Sequence, residues 1–149
     1  MVKLIEATKK DLNLIVKFLK EMAEDTQEFG FDEKITAKSV EASFDEMVHW
    51  FLFYDDNNKP FGTCYCQHLH NYWRLEKRFY LGGFYITPNL RGKGNFELLN
   101  KQFKEWVIQH NGVQIYGHVH EDNQRSLKAC AKIGLKEIEY KLCVNHWGD

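Results

Sequence analysis

Residues 79–107 place the tightest limits on what this chain can fold into. Phe79-Tyr80-Leu81-Gly82-Gly83-Phe84-Tyr85-Ile86 is an apolar, aromatic run that reads as a strand. Pro88 ends it, since proline has no amide hydrogen for a ladder. The loop Asn89-Leu90-Arg91-Gly92-Lys93-Gly94-Asn95 follows, and Leu98, Leu99, Phe103, Trp106 and Val107 then form the core stripe of a long helix closed by His110-Asn111-Gly112. A strand feeding a glycine-rich basic loop and then a helix start is a recipe for anion binding. Free backbone N–H groups and the helix dipole converge there, and glycines let an anion approach the chain. Taken alone, the loop reads equally well as a tight turn with solvated basic side chains. Gly82-Gly83, inside the strand, predict a bulge or a close approach by another backbone.

The remaining pattern supplies the partners of that unit. Residues 2–6 read as a first strand. Thr8 with Asp11 resembles a helix-start signal, and Leu12, Ile15, Leu19 and Met22 recur at helical spacing, predicting a helix over 8–24. An acidic stretch, Glu24 to Glu33, separates it from a second helix at about 36–47. His49–Tyr54 and 61–69 flank the turn chemistry of DDNNKPFG and predict a hairpin. After the long helix come a strand over Val113–His120, a helix over Asn123–Lys132 and a last strand over Leu135–Val144. The order is β-α-α-β-β-β-α-β-α-β. It predicts an α/β (α+β) fold in which residues 1–149 form a single domain around a mixed central sheet flanked by helices. A chain of 149 residues has room for one such core.

Composition narrows the function classes. With 44% hydrophobic and 15% aromatic residues the chain is that of a folded globular protein, and a net charge of −1 gives no bulk attraction to nucleic acid or an anionic membrane. No run approaches transmembrane length, and the charged start MVKLIEATKKDLNL lacks an apolar signal core, so a cytoplasmic location is expected. The four cysteines, Cys64, Cys66, Cys130 and Cys143, are then expected as reduced thiols. Cys64, Cys66, His68 and His70 alternate on one strand face. Strand neighbours two apart sit roughly 6.5–7 Å from each other. One zinc with ligands at about 2.0–2.3 Å cannot collect all four without a sharp bend. No metal site is expected.

The usual nucleotide loops do not match. A Walker loop requires Ser or Thr after the lysine, and a Rossmann fingerprint requires a third glycine and an early strand. The segment Tyr85-Ile86-Thr87-Pro88-Asn89-Leu90-Arg91-Gly92-Lys93-Gly94 instead resembles the acetyl-CoA motif of the Gcn5-related N-acetyltransferases (GNAT superfamily). Asn123-x-x-Ser126-x-x-x-Cys130-x-x-x-Gly134-Leu135 is similar to that family's second block, and the element order matches its fold over essentially the whole chain.

The resemblance implies acetyl-CoA as co-substrate and transfer of an acetyl group to a primary amine of a small molecule or peptide by direct attack. It implies that backbone groups of Phe84, Tyr85 and Ile86 pair with the pantetheine arm. Amides of Arg91, Gly92, Lys93, Gly94, Asn95 and Phe96 would hold the pyrophosphate, and Asn123 would hydrogen-bond the cofactor. Asn123 also reads as an ordinary helix N-cap. Dimers are common in the family, so a homodimer is compatible with the resemblance.

Three departures bear on catalysis. Phe96 stands where the family has Gly or Ala. Cys130 stands where it often has a tyrosine that protonates the leaving thiolate; the bland reading is a small buried hydrophobe. Gly82-Gly83 lie where the polyamine acetyltransferases carry an acidic pair. The remaining candidates for proton transfer are Tyr80, His118, His120 and Glu121, the two histidines sharing a strand face; polar residues at a strand end are the alternative. The acidic 24–33 stretch is either a lure for a cationic amine or a solvated loop. Tyr72, Trp73 and Phe79 either line an acceptor pocket or cover the sheet. The alternative function is a non-catalytic acyl-CoA-binding sensor or regulatory subunit.

Overall fold

The computed structural model describes residues 1–27, 30–139, 141–145 and 147. The run Trp50–Phe53 is apolar throughout because its strand is buried on both faces there. Trp50 and Leu52 point to one side, into a cluster with Ile15, Phe18 and Val40; Phe51 and Phe53 point to the other, into a cluster with Leu99, Phe103 and Val107. Each fully buried side chain of this size contributes roughly 1.5–3 kcal/mol.

The sheet is built from β1 (Lys3–Glu6), β2 (Val48–Tyr54), β3 (Pro60–Asn71), β4 (Glu76–Ile86) and β5 (Gly112–Tyr116), side by side in that order. All pairings are antiparallel except β4 with β5. That parallel step is crossed by α3 (Asn95–Gln109). It packs on the Phe51/Phe53 face through Leu99, Phe103 and Val107, whereas Leu98 is half exposed and outside the stripe. The opposite face takes α1 (Leu12–Asp25) and α2 (Glu33–Ser43). The start signal at Thr8 is real: its N–H donates to Asp11 Oδ2 at 2.9 Å, opening a short 3₁₀ turn before α1. Helix α2 begins earlier than the apolar pattern suggests, because Asp32 Oδ1 accepts from the Ile35 amide at 2.9 Å and caps it. It also ends earlier, in a turn where Met47 takes a positive φ.

Two sequence expectations fail at the C-terminal side. The strand over Val113–His120 stops at Tyr116, because its ladder with β4 ends at Tyr80–Tyr116. His118 and His120 therefore lie in irregular chain beyond β5. After α4 (Gln124–Lys132) no strand forms among the described residues of 135–144; Tyr140 lies outside them. Ile138, Leu142 and Val144 alternate as a strand would, but an extended segment becomes a strand only with a ladder partner, and β5 pairs with β4 alone among the described residues. No helix among them is long and apolar enough to cross a membrane.

Candidate active site

The ladder between β4 and β5 runs only from Lys77–Gly112 to Tyr80–Tyr116. Beyond it the strands part, and the edge of Phe84, Tyr85 and Ile86 that would face β5 has no strand partner among the described residues. The cause lies in β4. Opposite Cys64 the register slips, so that Thr63 faces Tyr85 while Tyr65 faces Gly82. Gly83 takes φ +57° in this bulge, a conformation that suits glycine. The paired glycines thus mark a bulge as expected, but the close approach comes from a side chain and not a backbone. A Cβ built on Gly82 would meet the Tyr65 ring and hydroxyl at 2.5 Å. Tyr65 is held there by Trp50 and Tyr80, with ring centroids at 5.0 and 6.2 Å.

The parted strands open a cleft of about 930 Å³. Its walls come from the end of α1, from β4, from the loop into α3, and from the segment that continues through α4. Phe84, Tyr85, Ile86, Arg91, Gly92, Gly94, Phe96, His118, His120, Asn123 and Cys130 all line it. Lys93, Asn95 and Tyr80 are not on its lining.

At the loop end, Gly94 is the N-cap of α3 with φ +77°, and Gly92 has φ +69°. A Cβ on either would find no heavy atom within 4 Å, so the glycines are required by conformation and leave the approach to the helix start open. Asn95 Nδ2 donates to Leu90 O at 3.0 Å and fastens the loop. Phe96 does not obstruct it: the ring turns onto the sheet, edge-to-face with Phe84 at 5.0 Å. Arg91 Nε donates to Ile86 O at 2.7 Å, and its Nη2 meets Asp25 Oδ2 at 3.0 Å. Arg125 reaches the same oxygen at 3.6 Å. The hydrogen bond from Arg91 holds the Asp25 carboxyl below its ordinary value, against a smaller opposing effect of burial. Asn123 caps α4, its Oδ1 accepting from the Ser126 amide at 3.1 Å, and it also faces the cleft.

At the other end, His118 Nδ1 lies 3.2 Å from Tyr80 Oη, with the rings 5.3 Å apart. This pair unites two residues singled out separately in the sequence. His120 sits on the rim, where Nδ1 accepts from the Asp122 amide at 3.2 Å. Glu121 is exposed to solvent and its carbonyl accepts from Gln124 Nε2. Cys130 is half-buried, and burial raises its pKa, so it stays a thiol at neutral pH. Tyr65, Asp25 and Tyr116 belong to this region and were not singled out by sequence. Only the acidic stretch hinted at Asp25; Glu28 and Phe29 of that stretch lie outside the described residues.

Other candidates fall elsewhere. Phe79 is buried in the core, and Tyr72 and Trp73 stand exposed at the far turn of the β3–β4 hairpin, so none lines the cleft. Cys64 and Cys66 point into the core under α3, and burial drives Cys66 up to about 12. No group of three or more His, Cys, Asp and Glu among the described residues is disposed to hold a metal.

Known proteins share this architecture. A possible acetyltransferase from Clostridium difficile 630 has a TM-score of 0.87 at 19% identity, covering 100% of this chain and 99% of its own. A predicted acetyltransferase from Clostridium acetobutylicum, solved with acetyl-CoA, has a TM-score of 0.78 at 18% identity, covering 97% and 96%. An aminoglycoside acetyltransferase from an uncultured soil metagenomic sample, in complex with sisomicin, has a TM-score of 0.80 at 12% identity, covering 99% and 97%. No curated protein sequence matches the chain. The sequence model of the Acetyltransferase (GNAT) family matches residues 15–135, spanning the loop, the bulge and the Asn123 block that build the cleft, and the chain belongs to that family.

Proposed function

We propose that this protein transfers the acetyl group of acetyl-CoA to a primary amine by direct attack within the cleft. The observation that carries the reading is the cleft itself, which joins an open helix start to a hydrogen-bonded His118–Tyr80 pair along an unpaired strand edge. The solved relative with acetyl-CoA supports the choice of co-substrate.

The residues present fit that molecule. The amides from Arg91 to Phe96, at the positive end of α3, suit a pyrophosphate. The free edge of Phe84–Ile86 suits an amide-bearing arm added like a strand. When bound, acetyl-CoA supplies an activated acyl carbon and a thiol leaving group. The chain's task is then to take a proton from the incoming ammonium, because only the neutral amine is a nucleophile. His118 does this when Nδ1–H donates to Tyr80 Oη, which leaves Nε2 as the acceptor. The opposite tautomer, with Tyr80 donating, would place the proton on Nε2 and disable it. As the C–N bond forms and the C–S bond breaks, the nitrogen sheds its second surplus proton to solvent and the thiolate takes up one. Protonated His118 or the Cys130 thiol, both on the cleft wall, can return it.

The test is release of free thiol when the protein is incubated with acetyl-CoA and a panel of amines, alongside calorimetry of acetyl-CoA binding. His118→Ala should lower kcat by roughly 10²–10⁴-fold, the usual contribution of a positioned base, while binding acetyl-CoA as the parent does. Equal kcat in parent and variant would remove His118 from the mechanism. One observation favours a second reading, a non-catalytic acyl-CoA sensor: the strand position of the family's carboxylate is glycine, filled by the Tyr65 ring. Tight acetyl-CoA binding with no thiol released across the panel would select it.

A further inference from the structure

Past the end of the cleft, on the face of β4 that carries Tyr80, stands Arg78. Alternation along β4 puts Phe79 into the core under α3 and leaves Arg78 and Tyr80 on the opposite face, opposite Gln114 and Tyr116 of β5 and Leu69 and Gln67 of β3. Its Nε is buried and has no hydrogen-bond partner among the described residues. Nor does its guanidinium join any of the ion pairs formed there, in contrast to Arg91 and Arg125, which share Asp25. A buried guanidinium donor without an acceptor is costly, and such a group calls for one. Arg78 stands beside groups of the cleft: burial raises the Tyr116 pKa and the neighbouring Arg78 charge offsets part of that rise, and Tyr116 lines the cleft and packs on Tyr80 at 5.4 Å.

The position excludes a role in binding the co-substrate's phosphates. Seven strand residues lie between Arg78 and Ile86, a span of roughly 25 Å along β4, so Arg78 and the Arg91–Phe96 loop sit at opposite ends. Between them lies the His118–Tyr80 pair. A molecule presenting an amine to His118 from the side away from the loop therefore extends toward Arg78. Gln67, Leu69 and Gln114 are exposed there, which leaves the approach open to solvent. We infer that the acceptor amine carries a carboxylate, bound by the Arg78 guanidinium next to the hydroxyls of Tyr80 and Tyr116. The planar fork of arginine matches a carboxylate in two parallel hydrogen bonds. Amino acids, ω-amino acids and short peptides with a free C-terminus have this chemistry; polyamines do not. The inference rests on the proposed acetyl transfer and adds to it the class of acceptor.

Kinetics with matched pairs tests it. Each amino acid, ω-amino acid or dipeptide is assayed beside its carboxamide, by thiol release at saturating acetyl-CoA, while acetyl-CoA affinity is measured separately by calorimetry. The parent protein should favour the free acid over the amide in kcat/KM by about 10- to 100-fold, the range of a charged hydrogen bond lost. Arg78→Gln should erase most of that ratio by raising KM for the acid, and Arg78→Lys, which keeps the charge but not the fork, should restore part of it. Retained acetyl-CoA binding shows that each variant is folded. If the parent acetylates amines but treats acids and amides alike, or if Arg78→Gln leaves the ratio intact, the inference is overturned while the transferase reading stands. Acetyl-CoA binding without turnover of any carboxylated amine also overturns it. Failure to bind acetyl-CoA at all would overturn the reading beneath it.

Discussion

Tyr65 and Gly82 form a contact on which the reactive end of the cleft depends. The ring of Tyr65 takes the space that any side chain at 82 would need, and it is wedged between Trp50 and Tyr80. A methyl group at 82 must therefore push a confined aromatic ring, and overpacking of this kind costs about 1–3 kcal/mol. Gly82→Ala should lower stability by that amount in denaturant melts. In a Tyr65→Ala background the same substitution should cost much less, giving a coupling of about 1 kcal/mol or more in a double-mutant cycle. Additivity of the two changes would mean that the ring moves aside freely. Burial also raises the Tyr65 pKa, so its hydroxyl stays protonated and available as a donor at neutral pH. In the sequence, Gly82-Gly83 predicts a bulge or a close approach by another backbone, because glycine inside an apolar strand gives up packing for conformational freedom or space. The identity of the intruding group stays hidden there, since it depends on a register between β3 and β4 that local pattern does not encode.

The helix starts carry the clearest sequence signals, and two of them frame the cleft. Gly94 and Asn123 head α3 and α4, and both face the cleft. Asn123 holds two roles that substitution can separate. Asn123→Ala removes the Oδ1 acceptor of the Ser126 amide and should cost about 1 kcal/mol of stability. Asn123→Asp keeps that acceptor, and an acidic residue suits a helix start, so stability should stay near the parent value. It also adds negative charge beside the proposed pyrophosphate site, so acetyl-CoA affinity should fall several-fold. A loss of affinity in step with stability in both variants would reduce Asn123 to a cap. Capping is local chemistry, which is why these starts are legible from a few residues. The end of β5 is not: where two parallel strands part depends on the bulge in the neighbouring strand, and the histidines expected on a strand face lie past that point. The same limit explains 135–144, where an alternating apolar pattern finds no ladder among the described residues. Periodicity reports what a segment can do with a partner, not whether one is adjacent.

At the scale of the whole molecule, the two walls of the cleft are tied by one carboxylate. Asp25, at the end of α1, reaches Arg91 in the loop before α3 and Arg125 in α4, residues far apart in the chain. The acidic stretch, which in the sequence alone reads as a lure for amines or a solvated loop, thus contributes a brace at Asp25. Because the Arg91 hydrogen bond lowers the Asp25 pKa below that of an unfolded chain, the folded state binds this proton less readily than the unfolded one. The stabilisation is therefore complete above the unfolded value of about 3.9 and disappears as pH falls through the lower, folded value. Asp25 is partly exposed and both arginines reach into solvent, so screening keeps the contribution to about 0.5–1 kcal/mol. Asp25→Asn should be less stable than the parent by that margin between pH 5 and 7, roughly one to four degrees in Tm for a chain of this length. The two unfolding curves should draw together below about pH 4, where the parent's carboxylate also takes up its proton. Added salt at pH 7 should shrink the gap as well, since part of the interaction is Coulombic and exposed. A gap that persisted unchanged at low pH and high salt would mean that the substituted amide disturbs packing at the end of α1, and that the ion pairs there do not brace the cleft.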